Sequence, residues 1–322
     1  MAPLRRIVDI LVCPACKGRL EPAPEALACA GCRRIYPVVE GVPLLTLFSP
    51  GAGTGGAAAG RSTRDYEERY QDIDRARRYN EKYARQPLKR LSTWRERAIL
   101  GRLLARGGPC ETLLEVPCGG GRLSAVLAPA AGLLIQADIG LGQVLLARSS
   151  AGGGKTGSPP PAEARGDRKG AAFPQTGGHG EAPGNAGSGP ETPLVDGRTG
   201  AGRPSRIWIS ASALRLPFAD RGVDAAVCIR LAHHLRDQAE REALLVELLR
   251  VARRYVIVTF FDHHAVKNRL RLARGKRSKL TMTAAQVARL AEAAGAAMIA
   301  CPRLSWWGSG HRYALLARAP SA

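Results

Sequence analysis

Hydrophobic and polar positions along the 322 residues fall into two regimes. From about residue 112 onward, short unbroken apolar runs alternate with segments of helical period. The runs at 112–116, 133–137, 207–210, 225–229 and 255–261 predict strands buried on both faces. Between them, 237–252 and 283–294 carry helical spacing and open on Asp237-x-x-Glu240 and Thr283-x-x-Gln286, the pattern of a capping box. Strands alternating with helices predict an α/β domain with a mainly parallel sheet covered on both faces. The first 48 residues are different: short apolar stretches broken by paired cysteines, too few to bury a core unaided.

Two stretches lack such patterning. Residues 49–62, "SPGAGTGGAAAGRS", predict a flexible linker, and the Gly/Pro/Ser-rich segment 149–205 predicts a disordered insertion. The chain thus divides into a small module (1–48), a linker (49–62), the first part of a larger domain (63–148), the insertion (149–205) and the second part of that domain (206–319). Tyr66, Tyr70, Tyr79 and Tyr83, in pairs spaced i to i+4, predict helices packing on the main domain. The insertion joins a helix to the next strand, so it belongs at the sheet edge opposite a ligand crevice.

Composition adds two constraints. Residues are 45% hydrophobic but only 5% aromatic, so the core must be aliphatic. No apolar run approaches the roughly 18 residues of a membrane span, and Asp9 interrupts the N-terminal apolar run, which predicts a cytoplasmic protein with reduced thiols. Net charge is +21, and the insertion, with six basic and five acidic residues, contributes almost none of it. The excess lies in Lys267, Arg269, Arg271, Arg274, Lys276, Arg277 and Lys279, and around Arg85, Lys89, Arg90, Arg95 and Arg97. Such blocks suit a phosphate-bearing partner, RNA above all, or a solvated helix face.

Cys13-x-x-Cys16 and Cys29-x-x-Cys32 have the spacing of two zinc knuckles that surround one metal tetrahedrally. The metal is expected to supply much of the module's folding free energy, and Cys29→Ser to unfold the module while leaving the melting of the larger domain largely intact. Cys110, Cys118, Cys228 and Cys301 are scattered and predict small buried residues. The surroundings, "DILVCPACKGRLE" and "ALACAGCRRIYPVVEGVPLL", resemble the small zinc-ribbon family whose best-known member activates tRNA, rRNA and release-factor methyltransferases.

The stretch "TLLEVPCGGGRLSAVL" (112–127) ends a strand in a glycine cluster that feeds a helix, a way to bring backbone close to a nucleotide. A dinucleotide fingerprint needs G-x-G-x-x-G, and Ser124 stands at its last glycine. The turn instead resembles that of class I S-adenosylmethionine-dependent methyltransferases, acid-x-Gly-x-Gly-x-Gly, with Pro117 at the first glycine. That resemblance implies a Rossmann-like seven-stranded sheet, the last strand antiparallel. It implies that Pro117, Cys118, Gly119 and Gly121 border the methionine end of the cofactor, with Glu115 beneath, bonded through water to its amino group. Asp138, in "LLIQADIGLGQVLLAR" 17 residues after Gly121, matches the ribose-binding acid, with Ile139 beside it. "SASALRLPFADRGVDAAVCIRLAHHL" matches the adenine loop through the fourth strand, with Ser212 at the usual Asp position, Ala213 offering its N–H, and Arg230 at the strand's end.

The resemblance implies methyl transfer from S-adenosylmethionine, with Zn²⁺ as a structural metal. His233, His263 and Asp262, after the fourth and fifth strands, are candidates to take a proton. RNA or an RNA-associated protein is the favoured acceptor; quinones, lipids or other metabolites, or a non-catalytic scaffold, are the alternatives. The N-P-P-[YF] signature of many exocyclic-amine methyltransferases is absent at Arg230, against adenine or glutamine amide targets.

Overall fold

The computed structural model describes residues 2–47, 87–152, 205–275, 281–305 and 309–319. The tyrosine-bearing segment, the whole linker and the body of the insertion lie outside them. Strands β1 (Leu20–Ala23), β2 (Ala26–Cys29), β3 (Ile35–Val39) and β4 (Val42–Leu45) form an antiparallel meander. The larger part runs α1 (Pro87–Gly107), β5 (Cys110–Glu115), α2 (Ser124–Leu127), β6 (Ala131–Asp138), α3 (Leu141–Gly152), β7 (Ser205–Ala211) and β8 (Val223–Cys228). It continues through α4 (Gln238–Val251), β9 (Ala252–Phe261), α5 (Val266–Ala273), α6 (Ala284–Ala293), β10 (Ala297–Ala300) and β11 (His311–Ala317).

The sheet order is β1-β2-β3-β4-β7-β6-β5-β8-β9-β11-β10. Strands β5 to β9 are parallel, and β11 runs antiparallel to β9 and β10. The α/β expectation of seven strands with an antiparallel close holds for β5 to β11. The addition is β4, which pairs in parallel with β7 through Leu44↔Ser210 and Leu45↔Ala211, so the small meander extends the large sheet to eleven strands.

Side chains alternate across the sheet. Leu113, Leu134, Val227 and Ile257 pack under α1 (Ile99, Leu100, Leu103, Leu104) on one face, and Leu114, Ile135, Ile209 and Val256 under α4 (Leu244, Leu245, Leu248) on the other. The second cluster also contains Leu4, Ile7, Leu11, Leu20, Leu27, Tyr36 and Leu45 of the first module. The Leu-Pro-Phe stretch seals the joint: Val12 N–H donates to the Pro217 carbonyl at 3.0 Å, Ala219 N–H to the Ile10 carbonyl at 2.9 Å, and Phe218 is fully buried. Lys17 reaches the Leu216 carbonyl at 3.0 Å and Glu247 of α4 at 3.2 Å, while Arg148 of α3 bonds Glu40. One core spans the joint, so the two parts are expected to melt together rather than independently.

Local sequence accounts for the element ends. Asp237 caps α4 by accepting from Glu240 N–H at 2.9 Å, but the Glu240 carboxylate turns to Arg236, so the reciprocal half of that predicted box goes elsewhere. Thr283 and Gln286 close a full box on α6. The helix after the glycine turn is one turn long, because Pro129 follows in a 3₁₀ segment and lacks the N–H a longer helix needs. Among the described residues, no helix is long and apolar enough to cross a membrane.

The insertion leaves the described chain after α3 and returns at Ser205, which pairs with Leu133 near the start of β6. Its return thus lies at the N-terminal edge of the parallel strands. Replacing Gly152 to Gly202 by a short Gly/Ser linker is expected to change stability by only about 1 kcal/mol. Calorimetric affinity for S-adenosylhomocysteine should stay within error; its loss in a folded deletion variant would refute this placement.

Candidate active site and metal centre

In the first module the four cysteine sulfurs converge, all within 4.8 Å of one another, with Cys13–Cys32 at 3.6 Å and Cys16–Cys29 at 3.5 Å. A tetrahedron of thiolates at about 2.3 Å from zinc has edges near 3.8 Å, so the set fits that ion. Gly18 N–H points at Cys16 Sγ and Cys32 N–H at Cys29 Sγ, both at 3.4 Å. A side chain at Gly18 would lie 3.3 Å from two of the sulfurs, which explains the glycine.

The nucleotide turn follows β5. Gly119 and Gly121 take φ of +51° and +80°, which L-residues avoid, and a Cβ at Gly121 would press on the α3 backbone at Ala147, 3.3 Å away. Pro117 follows a cis peptide bond. Cys118 is buried against Val42 of β4 and Val144 and Ala147 of α3, beside Trp208, so the small module packs directly on the turn.

Two buried carboxylates brace this turn. Asp138, at the end of β6, accepts from Gly119 N–H at 2.9 Å and Gly140 N–H at 3.0 Å. Burial raises its pKa to about 6, against the pull of those N–H groups. Glu115 accepts from Ser124 Oγ at 3.0 Å and Gln136 Nε2 at 2.9 Å, and burial raises its pKa to about 7. Ile139 follows Asp138, and its carbonyl accepts from Ser210 Oγ at 3.3 Å. Ser212 and the buried Ala213 follow β7, two and three residues beyond Ser210, which pairs with Asp138 in the neighbouring strand. The predicted cofactor residues from three separate segments therefore share the C-terminal edge of the parallel strands.

Arg230 differs from the expectation. Its backbone takes φ +63°, its N–H donates to Thr259 Oγ1 at 2.6 Å, and its guanidinium bonds Glu96 of α1 at 2.9 Å. Glu96 is fully buried and also accepts from Arg122 Nη1 at 2.5 Å and Tyr313 Oη at 2.6 Å. Burial alone would raise its pKa, but the two arginines hold it below the usual carboxylate range. This hub ties α1, the glycine turn, the end of β8 and β11 together, and sequence reasoning missed it. The available signal was that Glu96 is the one acid in the 21 residues of α1.

The proton-transfer candidates separate into two groups. His233 lies beside His234 and, edge to face, His311, with ring centroids 4.1 and 5.0 Å apart. His263 instead bonds Thr281 Oγ1 through Nδ1 at 3.0 Å. Asp262 is buried and accepts from Arg312 Nε at 2.7 Å, with Arg303 at 3.8 Å, so its carboxylate is held in ion pairs. His311, also missed in the sequence, connects the two regions.

Residues 5–41 match the family model described as Trm112p-like protein. A UPF0434 protein of Bordetella pertussis is 52% identical over 42 residues, 12% of this chain and 68% of that protein. Through this segment, the chain belongs to the Trm112p-like family. A UPF0434 protein of Shewanella amazonensis is 45% identical to the Trm112p-like region over 47 residues, 14% of this chain and 77% of that protein. Beyond the Trm112p-like ribbon the similarity is one of fold. The crystal structure of magnesium protoporphyrin IX methyltransferase from Synechocystis PCC 6803 with bound SAH aligns over 80% of this chain and 100% of its own, with TM-score 0.54 and 13% identity. The part carrying β5 to β11 has the class I S-adenosylmethionine-dependent methyltransferase fold.

Proposed function

We propose that this chain is an S-adenosylmethionine-dependent methyltransferase with a fused structural zinc ribbon, and that its acceptor is RNA. The observation that carries the cofactor reading is the juxtaposition of the left-handed Gly119 and Gly121 with the Asp138 carboxylate on the adjoining strand. In this reading Pro117, Cys118, Gly119 and Gly121 shape the seat for the methionine end, Asp138 takes the ribose hydroxyls, and Ile139, Ser212 and the Ala213 N–H border adenine. Glu115 and Arg230 act indirectly, Glu115 by bracing the turn through Ser124 and Gln136 and Arg230 by holding Glu96.

The cofactor supplies a methyl group already activated by its sulfonium. This chain's residues must then align the acceptor, exclude water and take up any proton it releases. In this reading His233, beside His234 and His311, takes up that proton. Asp262 and His263, engaged with Arg312 and Thr281, position the surrounding loop. The RNA reading draws on α5 and its C-terminal end, whose Lys267, Arg269, Arg271 and the following Arg274 come from the segment after β9. A shallow, basic cleft at the head of α5, lined by Lys267, Arg303 and Arg312, favours a second reading, a small acidic metabolite. Four reduced cysteines suited to zinc favour work in the cytoplasm.

Asp138→Ala is expected to weaken S-adenosylmethionine binding by about 1.5–3 kcal/mol, the scale for charge-assisted hydrogen bonds. Because the ionised form is the better acceptor and its pKa is about 6, wild-type affinity should fall as pH drops through 6, while the variant's stays flat. Calorimetry between pH 5 and 8 checks both; unchanged affinity in the variant would remove the assignment. Labelled methyl transfer into nuclease-treated and untreated RNA fractions tests the acceptor.

A further inference from the structure

The cleft at the head of α5 lies outside the residues assigned above to the cofactor. Asp262, Ala265, Val266 and Lys267 line it from the end of β9 and the start of α5, and Arg303, Ser305, Ser309, His311 and Arg312 from the approach to β11. It sits at the edge that carries the glycine turn, because β5, β8 and β9 run parallel and β11 starts where β9 ends.

Its charge is unbalanced. Lys267, Arg303 and Arg312 face a single carboxylate, Asp262, an excess of two positive charges. That carboxylate holds Arg312 at 2.7 Å and Arg303 at 3.8 Å, fixing two guanidiniums in one wall. Opposite them α5 begins with no side-chain cap on its first N–H groups, since Ala265 stands at the cap position. Ser309 is held by His311 Nδ1 at 2.9 Å and by a 2.9 Å bond from its N–H to Ser305 Oγ, so both hydroxyls are placed beside the cations. Paired cations, uncapped helical N–H groups and oriented hydroxyls form a receptor for a tetrahedral or planar oxyanion.

We infer that this cleft is an oxyanion subsite for the methyl acceptor, seating a phosphate or carboxylate through Arg303, Lys267 and the start of α5. It rests on the proposed methyltransferase reading only for its role as acceptor site. His311 forms the cleft wall and packs against His233, so an acceptor anchored here presents its neighbouring atoms to the side of the crevice where His233 stands.

The full-length protein is titrated with inorganic phosphate at constant ionic strength by calorimetry, with and without S-adenosylhomocysteine. Saturable binding is expected, weakened roughly tenfold or more in Arg303→Gln and in Lys267→Gln. It should be unchanged in Arg102→Gln, which removes one exposed charge from α1. Unaltered melting shows that each variant is folded. Non-saturable binding, or equal loss in Arg102→Gln, would overturn the subsite. Displacement of bound phosphate by a short single-stranded RNA assigns the oxyanion to RNA, and displacement by glycerol phosphate or succinate alone assigns it to a small acid. If none displaces it, the subsite is refuted. S-adenosylhomocysteine failing to bind while Arg303-dependent phosphate binding persists would sink the cofactor reading and leave the subsite standing.

Discussion

Cys29→Ser is expected to lower the melting of the whole molecule, with no separate early transition for the first fifty residues. Cys29 is both a knuckle sulfur and a member of the core that contains Ile135, Ile209 and Phe218. Zinc-ribbon metal binding amounts to about 10–16 kcal/mol in isolated peptides, comparable with the whole stability of a domain. Losing the meander would also expose the β7 edge and uncover Phe218, Trp208 and Cys118. A destabilisation of about 3–5 kcal/mol corresponds to roughly 10 °C in a protein of this size. S-adenosylhomocysteine affinity should fall with it, because Val42 packs on the residue before Gly119. Scanning calorimetry with metal analysis checks this. Two transitions, the later one unmoved, would show that the shared core carries little energy.

A second large effect is expected at Glu96. Glu96→Ala leaves Arg122 and Arg230, each about one-fifth exposed, without their shared carboxylate, and also strips Tyr313 of its acceptor. Breaking a buried ion pair from one side costs about 3–5 kcal/mol. Glu96→Gln, which keeps shape and one acceptor, should cost less. The pH dependence has a definite sign. Glu96 has a folded pKa below its unfolded value, so its contribution is present above the unfolded pKa and is lost as pH falls through the folded one. Denaturant unfolding of wild type and Glu96→Ala at pH 7 and pH 4 should show a gap that narrows in acid. A gap that is constant with pH would refute the charge argument.

What the sequence made legible is what local spacing encodes. The strands, the Gly119–Gly121 turn, Asp138 one strand later and the paired cysteines are each set by residues close together in the chain. The β4–β7 pairing was not legible. Backbone edges join through N–H and C=O groups that every residue carries, so "VPLL" gives no sign that it borders Ser210 and Ala211. The Glu96 hub has the same character: its partners lie 26, 134 and 217 residues away, and no local period records such distances. Asp262 and His233 were placed at the correct strand ends, but their partners, Arg312 and His311, come from the antiparallel strand that returns beside them.

The parallel contact between β4 and β7 also fixes a stoichiometry. A ribbon supplied as a separate subunit would occupy that edge to an extent set by its concentration and its dissociation constant. Here the same strand arrives on the same chain, at an effective concentration of the millimolar order typical of tethered partners. Dilution cannot strip it away, and a competing free ribbon would have to displace a tethered one. The β7 edge of the larger sheet, which would otherwise invite pairing with another molecule, is covered from within, one ribbon to one sheet.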